Sequence, residues 1–163
     1  MKTFTRIFLL MSFSLTISAA ENCTPANKKA VCDPEKVKKV VSDMCTTIEN
    51  EGEAALAKVK SFRYDCCGEP NYIWINDLHP TMIIHPIKPQ LDKTDLSNSV
   101  DPDGKKLFVD FVKAVKKTPK GDWVDYKWTK MGESDPTAKT SWVQLCKPGK
   151  KGEGWVVGSG TWK

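Results

Sequence analysis

The sequence predicts an α+β domain, with a long N-terminal helix packed on one antiparallel sheet of five strands and a helical crossover between the second and third strands. Three observations carry this reading. Apolar residues recur three or four apart from Val37 to Phe62, strand-like runs take over beyond Gly68, and a second helical pattern from Leu107 to Val115 interrupts them. All six tryptophans fall between residues 74 and 162, so the sheet half carries most of the large ring surface that a core or a pocket would use.

The elements follow in order. Lys2 and Arg6 precede an apolar run from Ile7 that closes on Ser18, Ala19 and Ala20, the pattern of a secretory signal peptide over residues 1–20. The run is shorter than the roughly 20 apolar residues of a membrane span, and no later run reaches that length, so the expected mature chain is not inserted in a membrane. Residues 21–33 are polar, with Cys23, Pro25 and Cys32, and read as an irregular arm tied down by a disulfide. Asp33 and Pro34 then form an N-cap and first helical position, and the apolar face that follows runs to about Ser61, with Gly52 as its weak point.

Tyr72–Asp77 and Thr81–His85 alternate as two strands of a hairpin that Pro86 and Pro89 end. Asp101, Pro102, Asp103 and Gly104 read as the turn into the second helix, where Leu107, Phe108, Phe111, Val112 and Val115 share a face. Three strands close the chain: Asp122–Thr129, Thr140–Cys146 and Trp155–Trp162, the last two joined by the loop Lys147–Gly154. Within the first strand, alternation puts Ile73 and Ile75 toward the long helix and Tyr72, Trp74 and Asn76 on the opposite face; Tyr126 and Trp128 likewise share a face.

Charge and motifs exclude more than they assign. The net charge of +5 falls to +3 without the leader, which holds two of the 25 basic residues and none of the 20 acidic ones, too mild a balance for a nucleic-acid partner. No GxSxG elbow, CxxC pair or phosphate-cradling loop before a helix is present, so no enzyme, metal site or cofactor is expected. Asp101 and Asp103 start like a calcium loop but lack its remaining ligands. The six cysteines, Cys23, Cys32, Cys45, Cys66, Cys67 and Cys146, all lie in the exported part and favour disulfides, with 15 possible pairings. At least two bonds are expected, one pinning the arm through Cys23 or Cys32 and one joining Cys146 to the start of the sheet, at Cys66 or Cys67.

Four segments carry a resemblance. NYIWINDL with MIIHPIKPQL, DPDGKKLFVDFV, WVDYKW and the closing GWVVGSGTW resemble the single Cache domains of bacteria, extracytoplasmic PAS-like sensors, over roughly residues 37–163. The resemblance implies a single Cache domain over residues 34–163, periplasmic or secreted, with a pocket between the sheet and the crossover holding the second helix. It assigns Tyr72, Trp74, Tyr126 and Trp128 to the pocket wall. Lys139 and Ser141, which resemble the family's Lys-x-Ser before an aromatic, join His85 as polar contacts. The implied function is binding of a small organic acid or similar polar metabolite, with Lys139 supplying the positive charge from an open pocket, and presentation of the ligand to a membrane receptor or kinase. The competing reading is a structural or interaction protein whose pocket has closed, and a cavity beside Lys139 separates the two.

Overall fold

A computed structural model describes residues 31–163. Residues 1–30, and with them the leader, Cys23 and most of the arm, lie outside the described residues.

Helix α1 (Pro34–Glu51) starts where expected: the Asp33 carboxylate accepts a hydrogen bond from the Glu35 amide at 3.0 Å, and Pro34 sits in the first turn. Its buried residues, Val37, Val41, Met44, Cys45 and Ile48, make one stripe. Gly52, at φ +64°, ends the helix, a 3₁₀ turn (Gly52–Ala54) follows, and α2 (Ala55–Ser61) resumes it with Ala55 and Val59 buried.

A short hairpin that the sequence did not predict comes next, β1 (Tyr64–Cys66) and β2 (Glu69–Asn71). Cys67 and Gly68 form its turn, both with positive φ, the backbone that two-residue hairpins require. Three-residue strands, one containing Pro70, leave too little alternation to read.

The main sheet contains β3 (Trp74–Asp77), β4 (Met82–Ile84), β5 (Asp122–Thr129), β6 (Pro136–Cys146) and β7 (Trp155–Trp162), in the order β4-β3-β7-β6-β5 with every neighbour antiparallel. The crossover from β4 to β5 carries α3 (Leu107–Lys117) and connects opposite edges of the sheet. Strand β6 begins four residues earlier than the sequence predicted, at Pro136 paired with Thr129. Proline is tolerated at the first residue of a strand, and the run from Pro136 to Lys139 lacks the alternation that would have revealed it. The turn at Asp101 stands ahead of α3 rather than capping it: its carboxylate accepts from the amides of Asp103, Lys105 and Lys127, tying the crossover to β5.

Each face of the sheet has its own core. Val41, Cys45, Ile48 and Val59 pack on Ile73, Ile75 and Val157; Leu107, Phe108, Phe111 and Val115 pack near Tyr72, Trp74, Val124, Tyr126 and Val143 on the other face. The predicted division of Ile73 and Ile75 from Tyr72 and Trp74 is the observed one.

Two disulfides lie wholly within the described residues. Cys32–Cys66 pins the arm to the first hairpin, reinforced by the Cys32 amide donating to Thr161 Oγ1 at 2.7 Å. Cys146 pairs with Cys45 of α1, not with Cys66 or Cys67. The periodicity explains this, since Cys45 lies on the helix stripe that faces the sheet, at the level where β6 ends. Closing a loop of 101 residues of sequence separation, this bond contributes about 5 kcal/mol in the chain-entropy account. Cys67 is also disulfide-bonded.

Candidate functional site

Between α3 and the sheet lies a cavity lined by Tyr72, Trp74, His85, Leu107, Phe108, Phe111, Tyr126 and Trp128. Its free volume is about 10 Å³, on the order of what one water molecule requires. Five of the seven residues assigned to the pocket from sequence therefore line one cavity. Lys139 and Ser141 stand behind it: Lys139 Nζ is 3.5 Å from the Tyr72 hydroxyl, and Ser141 Oγ is 2.8 Å from that of Tyr126.

Local sequence explains how each wall is held. The Tyr72 carbonyl accepts from Ser159 Oγ at 2.6 Å and its amide donates to Asn71 Oδ1 at 2.9 Å, fixing the ring just before β3 begins. Strand β7 makes room through two glycines. A Cβ at Gly158 would stand 2.4 Å from the Trp74 ring, and one at Gly160 would stand 2.1 Å from Ser141 Oγ, 2.6 Å from the Thr140 carbonyl and 2.8 Å from Lys139 Cε. The GSG of the closing motif is thus a trough for side chains of β3 and β6. Gly160→Ala is expected to destabilise the domain by about 1 to 3 kcal/mol, because the rigid Thr140 carbonyl cannot retreat, and thermal unfolding of the variant checks it.

The electrostatics centre on Lys139. The residue is 1% exposed, the expectation of an open pocket being overturned by the rings of Tyr72 and Trp162, whose centroids lie 5.0 and 4.6 Å from Nζ. No carboxylate among the described residues supports its charge, and burial, with a smaller push from Lys88, lowers its pKa to about 7. His85, 3% exposed, accepts at Nδ1 from the Lys88 amide at 3.0 Å and more weakly from that of Ile87 at 3.4 Å, which leaves Nε2 as the protonated nitrogen. Burial first, then Lys139 and Lys88, lowers its pKa to about 3, so the ring is a neutral donor. Burial pushes the Tyr72 phenol up to about 12 against an opposing hydrogen bond from Trp128.

Trp128 is the partly exposed wall. It separates the cavity from an outer groove of about 330 Å³ bordered by Lys88, Val100, Pro102 and Lys127. Lys88 Nζ lies 4.4 Å over its ring while donating to Thr129 Oγ1 at 2.6 Å, which latches the indole in place. Tyr72 separates the cavity from a second groove, of about 250 Å³, bordered by Lys130, Met131 and Trp162. Sequence reasoning missed Lys88, Phe108, Phe111 and Trp162 as members of this site. The two phenylalanines lie on the apolar stripe of α3, and that stripe is the sequence signal that points to them.

The sequence profile described as the Cache domain matches residues 35–163. The chain belongs to the Cache family. It is 46% identical over 110 residues to the methyl-accepting chemotaxis protein McpP of Pseudomonas putida; the match takes in 68% of this chain and 19% of that protein, so the chain spans about a fifth of that relative's length. Among solved structures, a Cache chemosensory domain determined for carboxylic acid recognition shares 38% identity at a TM-score of 0.67, covering 78% of this chain and 91% of its own. A periplasmic sensor domain of a chemotaxis protein shares 36% at a TM-score of 0.59, covering 78% and 86%. A methyl-accepting chemotaxis protein from Vibrio parahaemolyticus, at 19% identity and a TM-score of 0.66, shows the fold alone. This Cache domain has no helix among the described residues long and apolar enough to cross a membrane.

Proposed function

We propose that this Cache domain is an extracytoplasmic sensor for small organic acids, binding the ligand carboxylate against Lys139 and signalling occupancy to a membrane receptor or kinase. The observation that carries the reading is an amine 1% exposed with no carboxylate partner among the described residues, an arrangement that an anionic guest would complete. The Tyr72 hydroxyl is the donor beside the amine, His85 packs its neutral ring against Tyr72, Ser141 orients Tyr126, and the aromatic walls keep the contact dry. The relative solved for carboxylic acid recognition supports the same ligand class. A one-water cavity means that a ligand must displace a wall, and partly exposed Trp128 is the wall with least to lose.

A thermal-shift panel of few-carbon carboxylates, amines and amino acids tests this. Carboxylates should stabilise the domain by about 2.7 kcal/mol at a hundred times Kd, and amines should not. A flat response across the panel would favour the second reading, a structural module with a closed pocket, which the small cavity supports. The proposal includes export with cleavage after Ala20, so the intact mass of the exported protein should correspond to a chain beginning at Glu21; a mass retaining the leader contradicts it.

A further inference from the structure

Lys139 has a second chemistry open to it. We propose that its side chain is a reversible carbon dioxide site: Nζ attacks the carbon of CO2, the electron pair of one C=O bond moves onto oxygen, and the amine proton leaves to solvent, giving the carbamate Lys139–NH–COO⁻. The inference shares its site with the carboxylate reading but does not depend on it, because the reaction needs only the amine.

Three features of the site favour the reaction. The amine is walled by the Tyr72 and Trp162 rings, and among the described residues its one hydrogen-bond contact is the long 3.5 Å approach to the Tyr72 hydroxyl and no carboxylate holds it in the protonated form. Carbon dioxide is uncharged and only three atoms long, so it reaches the enclosed amine without the desolvation of a charged guest, although it too must displace a wall of the one-water cavity that lies in front of Lys139. The carbamate would form beside the Tyr72 hydroxyl, in the field of the Lys88 ammonium, whose charge acts on both His85 and Lys139. Only an unprotonated amine reacts, and with a pKa of about 7 roughly half of Lys139 is in that form at neutral pH, against about one in 3,000 for a lysine at its ordinary 10.5. Water exclusion then protects the product, since carbamates revert by protonation at nitrogen.

A consequence joins the two readings. Carbamylation replaces a cation by an anion where the ligand carboxylate is proposed to bind, so carbon dioxide and organic acids would exclude each other, and by linkage each lowers the apparent affinity of the other by the same factor.

The experiment uses the wild-type chain equilibrated with carbon-13-labelled bicarbonate and CO2 at fixed near-neutral pH and ionic strength. Carbon-13 NMR should show a protein carbamate resonance that is absent from Lys139→Met, and triethyloxonium trapping followed by peptide mapping should place an ethyl carbamate on Lys139 at several-fold higher occupancy than on any exposed lysine. A wild-type spectrum identical to that of the variant, or trapping at Lys139 no higher than at exposed lysines with no NMR signal, overturns the proposal. The two readings fail separately: a carbamate signal without carboxylate stabilisation sinks only the ligand assignment, and carboxylate stabilisation without a carbamate sinks only this one.

Discussion

Lys139→Met should raise the melting temperature of the unliganded domain and at the same time abolish stabilisation by carboxylates. A methionine keeps most of the stem volume among Tyr72, Trp162 and Gly160 and removes an amine that has no counter-charge among the described residues. Replacing such a buried charge with an apolar side chain of similar size typically stabilises by about 1 to 4 kcal/mol, and each kcal/mol shifts a domain of this size by roughly 4 °C. The sign with pH follows from linkage. The folded pKa, about 7, lies below the unfolded 10.5, so the unfolded chain binds the extra proton between those values and wild-type stability rises with pH across that window. The advantage of the variant should therefore be largest below pH 7 and close toward pH 10.5. Calorimetry of both proteins at several pH values checks it; a variant that melts lower than wild type at acid pH contradicts it. Lys139→Ala, by contrast, sets the same gain against a cavity, so the neutral outcome expected of an open pocket does not apply.

Carboxylate affinity should run the opposite way with pH. His85, near 3, and Tyr72, near 12, hold one charge state through the neutral range, so among the pocket groups Lys139 alone changes charge there; Lys88 and Arg63 lie near enough to act on it or its neighbours. The ligand is an anion throughout, and only the protonated amine pairs with it. Affinity should be nearly constant between about pH 5 and 6, where the ligand is still ionised, and fall by about tenfold per unit above 7, a loss of about 1.4 kcal/mol for each. Isothermal titration in CO2-free buffers measures it, and a pH-independent affinity from 6 to 9 would rule out Lys139 as the partner.

Period-two alternation made much of this legible. It separated Ile73 and Ile75 from Tyr72 and Trp74, grouped Tyr126 with Trp128, and so marked four residues of one cavity. Burial of Lys139 was not legible, because its neighbours Thr137, Ala138 and Thr140 carry no apolar signal and the rings that enclose it come from residues 72 and 162. Lys88 escaped for a related reason. It follows Pro86 in a turn, and its contact with Trp128 spans 40 residues of sequence. Disulfide pairing needs the third dimension too, yet Cys45 sat in plain view on the apolar stripe of α1 that had to face the sheet.

The most direct test of the account is a crystal structure of the domain with a few-carbon carboxylate that stabilises it. One carboxylate oxygen should lie about 2.8 Å from Lys139 Nζ, with Tyr72 or His85 donating to the other and the Trp128 ring displaced from its present position to make room. A ligand seated instead in the outer groove beside Lys88 and Lys127, with Lys139 still enclosed by Tyr72 and Trp162, would contradict it.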